Sequence, residues 1–163
     1  MANILPGSLR AASLSLALAA GFASAATAEE GEGVYFGAVT DPTVKQECSA
    51  CHMAFSAGML PASSWTAILG DLSNHFGEDA SLDDKTTAAI RDWLTGNAAQ
   101  PSRWMTNAAD GGDTPMRITE TTWWTRVHNG EVNPAAFDNP RVGSRANCAA
   151  CHRGAEQGFF GEE

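Results

Sequence analysis

Cys48-Ser-Ala-Cys51-His52 recurs near the other end of the 163-residue chain as Cys148-Ala-Ala-Cys151-His152. Each copy has the form of a c-type haem attachment site. Two thiols on a single turn of chain reach the two vinyl groups of one haem, and the histidine that follows lies under the iron. The copies use all four cysteines, so none is left for another purpose. A zinc ribbon needs its two CxxC pairs about 15 to 20 residues apart, and a thioredoxin-like pair sits beside a βαβ pattern. Here most of the chain separates the pairs, and no run of β-branched residues flanks either. The expectation is two covalently bound haem c groups, one on Cys48 and Cys51 and one on Cys148 and Cys151, with His52 and His152 on the irons.

Towards the N-terminus, Arg10 is the only early charge and a small, apolar run follows from Ala11 to Ala26. Ala26-Thr27-Ala28 meets the small-x-small rule for cleavage just before Glu29-Glu30, and Ala23-Ser24-Ala25 is a second possible site. The run is shorter than the ~20 residues a membrane span needs. Residues 1–28 therefore read as a signal peptide. Without a twin-arginine pair the route is the general secretory one, the destination the periplasm, and haem is attached after export. About 135 residues then remain, one domain by length but a small core for two. The haems are expected to supply much of that core, at about 25 cal/mol per Å² of apolar surface covered.

The formal net charge is −9, and loss of Arg10 with the leader takes it to −10. A field of that sign repels nucleic acid and anionic membranes and steers the chain towards basic patches on protein partners.

Along the mature chain, 34–41 reads as an irregular lead-in. Asp41-Pro42 reads as an N-cap with proline at the first helical position, opening a helix that carries Cys48, Cys51 and His52. The loop from Met53 to Pro61 is expected to accept the second ring N–H of His52. Trp65, Ile68, Leu69, Leu72, His75 and Phe76 recur at i, i+3 and i+4, predicting a helix capped by Ser63 or Ser64 with His75 on its buried stripe. A lone histidine on such a face is ordinarily a core residue satisfied by a carbonyl. In a chain with an iron to ligate and only four histidines, it is the candidate second ligand. Ser81 to Asp84 predicts a capping box for a helix with Ala89, Ile90, Trp93 and Leu94 inward, stopped by Gly96. Asn97 to Met116, with Pro101, Gly111, Gly112 and Pro115, reads as a linker. Thr119 then caps a short helix whose apolar face is Trp123, Trp124, Val127 and His128, and His128 repeats the pattern of His75. Residues 133–142 read as a loop, Ser144 as the cap of a helix bearing Cys148 to His152, and the end as an acidic tail. His52 and His75 on one iron, with His128 and His152 on the other, is the pairing favoured by short loop closure. Met59, Met105 and Met116 are the rival distal donors.

With these residues placed, the chain resembles the small dihaem cytochrome c family of bacterial periplasms. The likeness is carried by Glu47-Cys-Ser-Ala-Cys-His-Met-Ala-Phe55, Met59-Leu-Pro-Ala62 with Trp65, His75-Phe-Gly-Glu-Asp-Ala-Ser81, the Thr-Trp-Trp run to His128, and Cys148-Ala-Ala-Cys-His152. It implies histidine on both faces of both irons. The implied fold is mainly α: a cytochrome c-like N-terminal haem domain at 29–99, in which histidine replaces the usual axial methionine, plus a smaller helical C-terminal haem-binding unit at 100–163 that includes the linker. It also implies electron donation to a small oxygen- and nitric-oxide-binding monohaem cytochrome c, often alongside a membrane b-type cytochrome.

If every histidine is a ligand, neither iron keeps an open position, which favours an electron carrier over an enzyme. The alternative is a haem enzyme or gas-binding protein in which one distal histidine is labile. Two imidazoles lower the potential relative to histidine with methionine.

Overall fold

The computed structural model describes residue 1 and residues 33–161; apart from Met1, the predicted signal peptide lies outside the described residues. Among the described residues there are four α-helices, α1 (Pro42–Cys48), α2 (Ala62–Leu69), α3 (Asp84–Gly96) and α4 (Thr122–His128), joined by turns of 3-10 helix. Two short strands, β1 (Val34–Tyr35) and β2 (Phe159–Phe160), pair near the two ends of the segment 33–161. None of the described helices is long and apolar enough to cross a membrane.

Capping explains where α1 begins. Asp41 accepts from the backbone N–H of Thr43 and of Val44, both at 2.9 Å, and Pro42 needs no partner for the donor it lacks. The helix ends at Cys48, so only the first cysteine of the motif is helical and Cys51 and His52 lie in the turn beyond it. Helix α2 starts after Pro61, not from a serine cap. Ser63 instead donates to the carbonyl of Asp113 at 3.1 Å, tying the linker to this helix, and Ser64 is fully buried. The predicted stripe from Trp65 to Phe76 is cut at Leu69: Gly70 closes the helix, a 3-10 turn covers Leu72–Asn74, and His75 follows it outside any helix. Asp83, not Ser81, caps α3 by accepting from Thr86, and the helix runs through Gly96 to a C-cap at Asn97.

Helices α1 and α2 both pack on α3. Their shared core contains Val44, Met59, Leu60, Trp65, Ile90 and Leu94, each at most 7% exposed. The Trp65 indole N–H donates to the carbonyl of Ala57 at 2.8 Å, which satisfies the one polar atom this ring carries inward. Of the predicted α3 stripe, Ile90 and Leu94 are buried and Trp93 half-buried, but Ala89 is exposed.

The second half has less regular structure. Thr121, not Thr119, caps α4: its hydroxyl accepts from Trp124 N–H at 3.1 Å and donates to the Ile118 carbonyl at 2.8 Å. The helix predicted over the second motif is a single 3-10 turn, Cys148–Ala150, and Ser144 closes only a local turn onto Ala146. The lead-in is not irregular throughout: Val34 pairs with Phe160 and Tyr35 with Phe159 in antiparallel register, extended by Phe36 N–H to the Gly158 carbonyl at 2.8 Å. Gly158 makes the turn into β2 with φ +78°, and a Cβ there would strike the carbonyl of Gly37. The lead-in and the tail therefore meet.

Candidate functional site

Four histidines gather into two pairs, and each is held by what its own segment places around it. At the first motif, α1 delivers Cys48 half-buried, while the turn leaves Cys51 and His52 exposed. His52 Nδ1 lies 2.6 Å from the Met53 carbonyl, so it carries the proton and leaves Nε2 free as a donor to a metal. This is the loop acceptor anticipated from the sequence. The ring also packs against Phe55, centroids 4.8 Å apart.

His75 reaches the same place from a tight turn. Its N–H donates to the Glu78 carbonyl at 2.7 Å, and the N–H of Glu78 returns to the His75 carbonyl at 3.2 Å. Both residues between them are left-handed, Phe76 at φ 56° and Gly77 at φ +104°. Phenylalanine in that conformation costs about 1–3 kcal/mol. The Arg117 guanidinium lies over the Phe76 ring at 4.1 Å and braces it from the second half of the chain. His75 differs from the other three histidines in one respect: its Nδ1 is buried with no hydrogen-bond partner among the described residues. A cavity of about 360 Å³, lined in part by Ile68, Asn74, Phe76 and Met116, opens beside it. Of the methionines considered as rivals, Met116 lies in that lining, Met105 is half-buried in a 3-10 turn, and Met59 is packed in the core at 1% exposure.

His128 closes α4. Its Nδ1 lies 2.9 Å from the carbonyl of Trp124, one turn back, and its ring stacks on the Trp124 indole at 4.2 Å with planes 18° apart. Phe137 lies beside that indole at 5.7 Å, and the Arg145 guanidinium lies over both rings. His152 follows the 3-10 turn of the second motif; its Nδ1 is 3.3 Å from the Gly161 carbonyl, and Phe160 meets it edge-on at 5.4 Å. The pair of strands β1 and β2 therefore supports the second site. Trp124, Phe160 and the Arg117–Phe76 contact were not anticipated as site residues. Trp124 alone carried a signal, since it stands at i−4 from His128.

The ring centroids of His52 and His75 are 6.2 Å apart, with planes 19° apart. Those of His128 and His152 are also 6.2 Å apart, with planes crossed at 88°. A metal–imidazole bond is about 2 Å long and the ring centroid lies about 1 Å further out, so two imidazoles on opposite sides of one iron set their centroids about 6 Å apart. Both pairs fit that spacing. Burial holds the pKa of His75 below the ordinary value, helped by the charges of His52 and Arg117. Burial likewise lowers that of His128, against the raising effect of its bond to Trp124. Both shifts favour the neutral imidazole, the form that ligates. No three His, Cys, Asp or Glu side chains converge among the described residues, so a bare ion of the zinc type has no ligand set there. None of the four thiols is in a disulfide. Burial raises the pKa of Cys48, with Glu47 adding to it, and burial raises that of Cys148.

Comparison with known proteins agrees with this chemistry. No curated protein matches the chain. Among solved structures, the dihaem cytochrome c from Rhodobacter sphaeroides is 50% identical and superposes with a TM-score of 0.66, over 76% of this chain and 98% of that one. A crystal structure of the protein purified from that organism gives 50% identity and a TM-score of 0.63, over 76% and 99%. A dihaem cytochrome c from Shewanella baltica OS155 is 41% identical with a TM-score of 0.61, over 73% and 85%. The family model described as dihaem cytochrome c matches residues 44–160, from inside α1 to the closing strand, and so spans both motifs and all four histidines. The chain belongs to the dihaem cytochrome c family, a haem-based electron-transfer protein with two c-type haems on its two CxxC motifs.

Proposed function

We propose that this chain is a periplasmic electron carrier in which His52 and His75 ligate one iron and His128 and His152 the other, and that it donates electrons to an oxygen-binding monohaem cytochrome c. The observation that carries the reading is the equal 6.2 Å separation of the two histidine pairs. Haem iron supplies a one-electron ferric/ferrous couple. His52, His75, His128 and His152 would hold the two irons and leave neither with an open position, which makes outer-sphere transfer the available chemistry and favours low potentials. Three of the four rings have a carbonyl within reach of Nδ1, which fixes the tautomer and strengthens the donor. Residues 29–99 form the cytochrome c-like unit in this reading and 100–163 the smaller one, after export and removal of 1–28.

The charge of −9 supports a partner with a basic docking face, and a membrane b-type cytochrome is a further candidate partner. Stopped-flow mixing of the reduced protein with an oxygen-binding monohaem cytochrome c tests the proposal. The rate should exceed that with generic cytochrome controls and fall as salt rises, since charges are screened over about 8 Å at physiological ionic strength. A rate no higher than the controls removes the partner. A second reading, a gas-binding protein or haem enzyme with a labile distal histidine, has one observation in its favour, the unpartnered Nδ1 of His75. Prompt carbon monoxide binding by the reduced protein would favour it.

A further inference from the structure

The two pairs share a spacing and differ in orientation, 19° between the ring planes in one and 88° in the other. We infer that Trp124 is a positioning residue that holds the His128 ring across the plane of His152, and that the two irons are thereby electronically distinct. The inference rests on the bis-histidine assignment above and goes beyond it.

The ring plane of an axial histidine has one soft coordinate, rotation about the bond that joins ring to chain. His128 is held in that coordinate twice over. Its Nδ1–H points at the Trp124 carbonyl at 2.9 Å, and its face lies on the Trp124 indole at 4.2 Å. Either contact alone leaves freedom to swing; together they fix both the tilt and the face. The indole is itself fixed, being 6% exposed, flanked by Phe137 at 5.7 Å and covered by the Arg145 guanidinium at 5.9 Å from its ring. His152 has weaker local support, a 3.3 Å contact to Gly161 and the edge of Phe160. The crossed angle is therefore set mainly from the His128 side.

Orientation matters because each imidazole donates π-electron density perpendicular to its own plane. Two parallel rings act on the same iron d orbital and separate it from its partner. Two crossed rings act on different orbitals and leave them nearly equal in energy. In the low-spin ferric state, with one unpaired electron in that pair of orbitals, near-equality leaves orbital angular momentum unquenched and makes the magnetic response strongly anisotropic.

Electron paramagnetic resonance of the oxidised holoprotein reads this directly. The wild type should show two low-spin species in equal amount: a three-line rhombic set from the His52/His75 iron and a single low-field line from the His128/His152 iron. Trp124→Leu should shift or abolish the low-field line while leaving the rhombic set in place, and Trp124→Phe, which restores a stacking face, should retain it. Two rhombic sets in the wild type, or a low-field line unmoved by Trp124→Leu, would overturn the inference. If Trp124→Leu does not take up both haems, Phe137→Leu is read instead, since it loosens the indole from behind. A smaller shift of the same line is expected, and no shift counts against the proposal. Failure of the underlying assignment is distinguishable, because it shows in the wild type as a high-spin signal or a methionine-to-iron charge-transfer band.

Discussion

Phe36 meets Phe160 edge-on with ring centroids 5.7 Å apart, and so closes the start of the described chain onto its end beside His152. Phe36 also packs on Trp123 of α4 at 4.7 Å, linking the strand pair to the helix that carries His128. Phe160 is 8% exposed, so Phe160→Ala should cost about 3–5 kcal/mol in thermal or denaturant unfolding of the holoprotein. It should also perturb the spectrum of the C-terminal haem before that of the other. An unchanged midpoint would mean that the strand pair does not support the site.

His75→Ala and His128→Ala should each leave one iron high-spin and open to carbon monoxide while sparing the other. The equal spacing of the two pairs predicts this independence. Absorption spectra of the reduced variants with and without carbon monoxide check it. If one substitution opens both irons, the pairing is wrong.

Of the four proposed ligands, His75 should yield first to an exogenous anion. Its buried Nδ1 has no acceptor among the described residues, whereas Nδ1 of His128 is held by Trp124 at 2.9 Å. Such supporting bonds are typically worth about 10- to 100-fold in ligand affinity. Cyanide titration of the oxidised protein, followed by resonance signals assigned to each haem, should show the N-terminal site reacting at lower concentration. Reaction first at the His128 side would reverse the ordering.

The caps give predictions local to the scaffold. Asp41→Ala removes the acceptor for two backbone N–H groups at the head of α1 and should cost about 1 kcal/mol. Thr121→Ala, at a fully buried cap, should cost about 1–2 kcal/mol, because the Trp124 N–H then loses its partner in a dry place. Denaturant midpoints check both.

Acid should weaken α3 through its cap. Hydrogen bonds from the Thr86 side chain and backbone hold the Asp83 carboxyl below its ordinary pKa. A carboxyl depressed on folding contributes stability above its unfolded pKa and loses that contribution as pH falls through the folded one. Asp83→Asn should therefore flatten the low-pH limb of the stability curve. The check is unfolding midpoints of both proteins across the acid range.

What the sequence disclosed follows from how local each signal was. The two motifs are contiguous and chemically specific, and the Asp41-Pro42 cap and the Met53 acceptor lie within a few residues of what they serve. His75 was read on a helical stripe, yet it sits in a turn beyond Gly70. Apolar residues at i, i+3 and i+4 cannot show where the backbone stops being helical when a glycine interrupts. The strands Val34–Tyr35 and Phe159–Phe160 are too short for alternation to register, and their pairing spans the chain. For the second motif the sequence suggests a helix capped by Ser144, but Ser144 closes only a local turn onto Ala146. The motif has no cap comparable to Asp41, and only a 3-10 turn forms.

The central claim is that each of the two irons lies between two histidines, and near-infrared magnetic circular dichroism of the oxidised holoprotein tests it most directly. The account predicts bis-histidine charge-transfer intensity equivalent to both haems in the protein. A methionine-to-iron band, or bis-histidine intensity equivalent to only one haem, would contradict it.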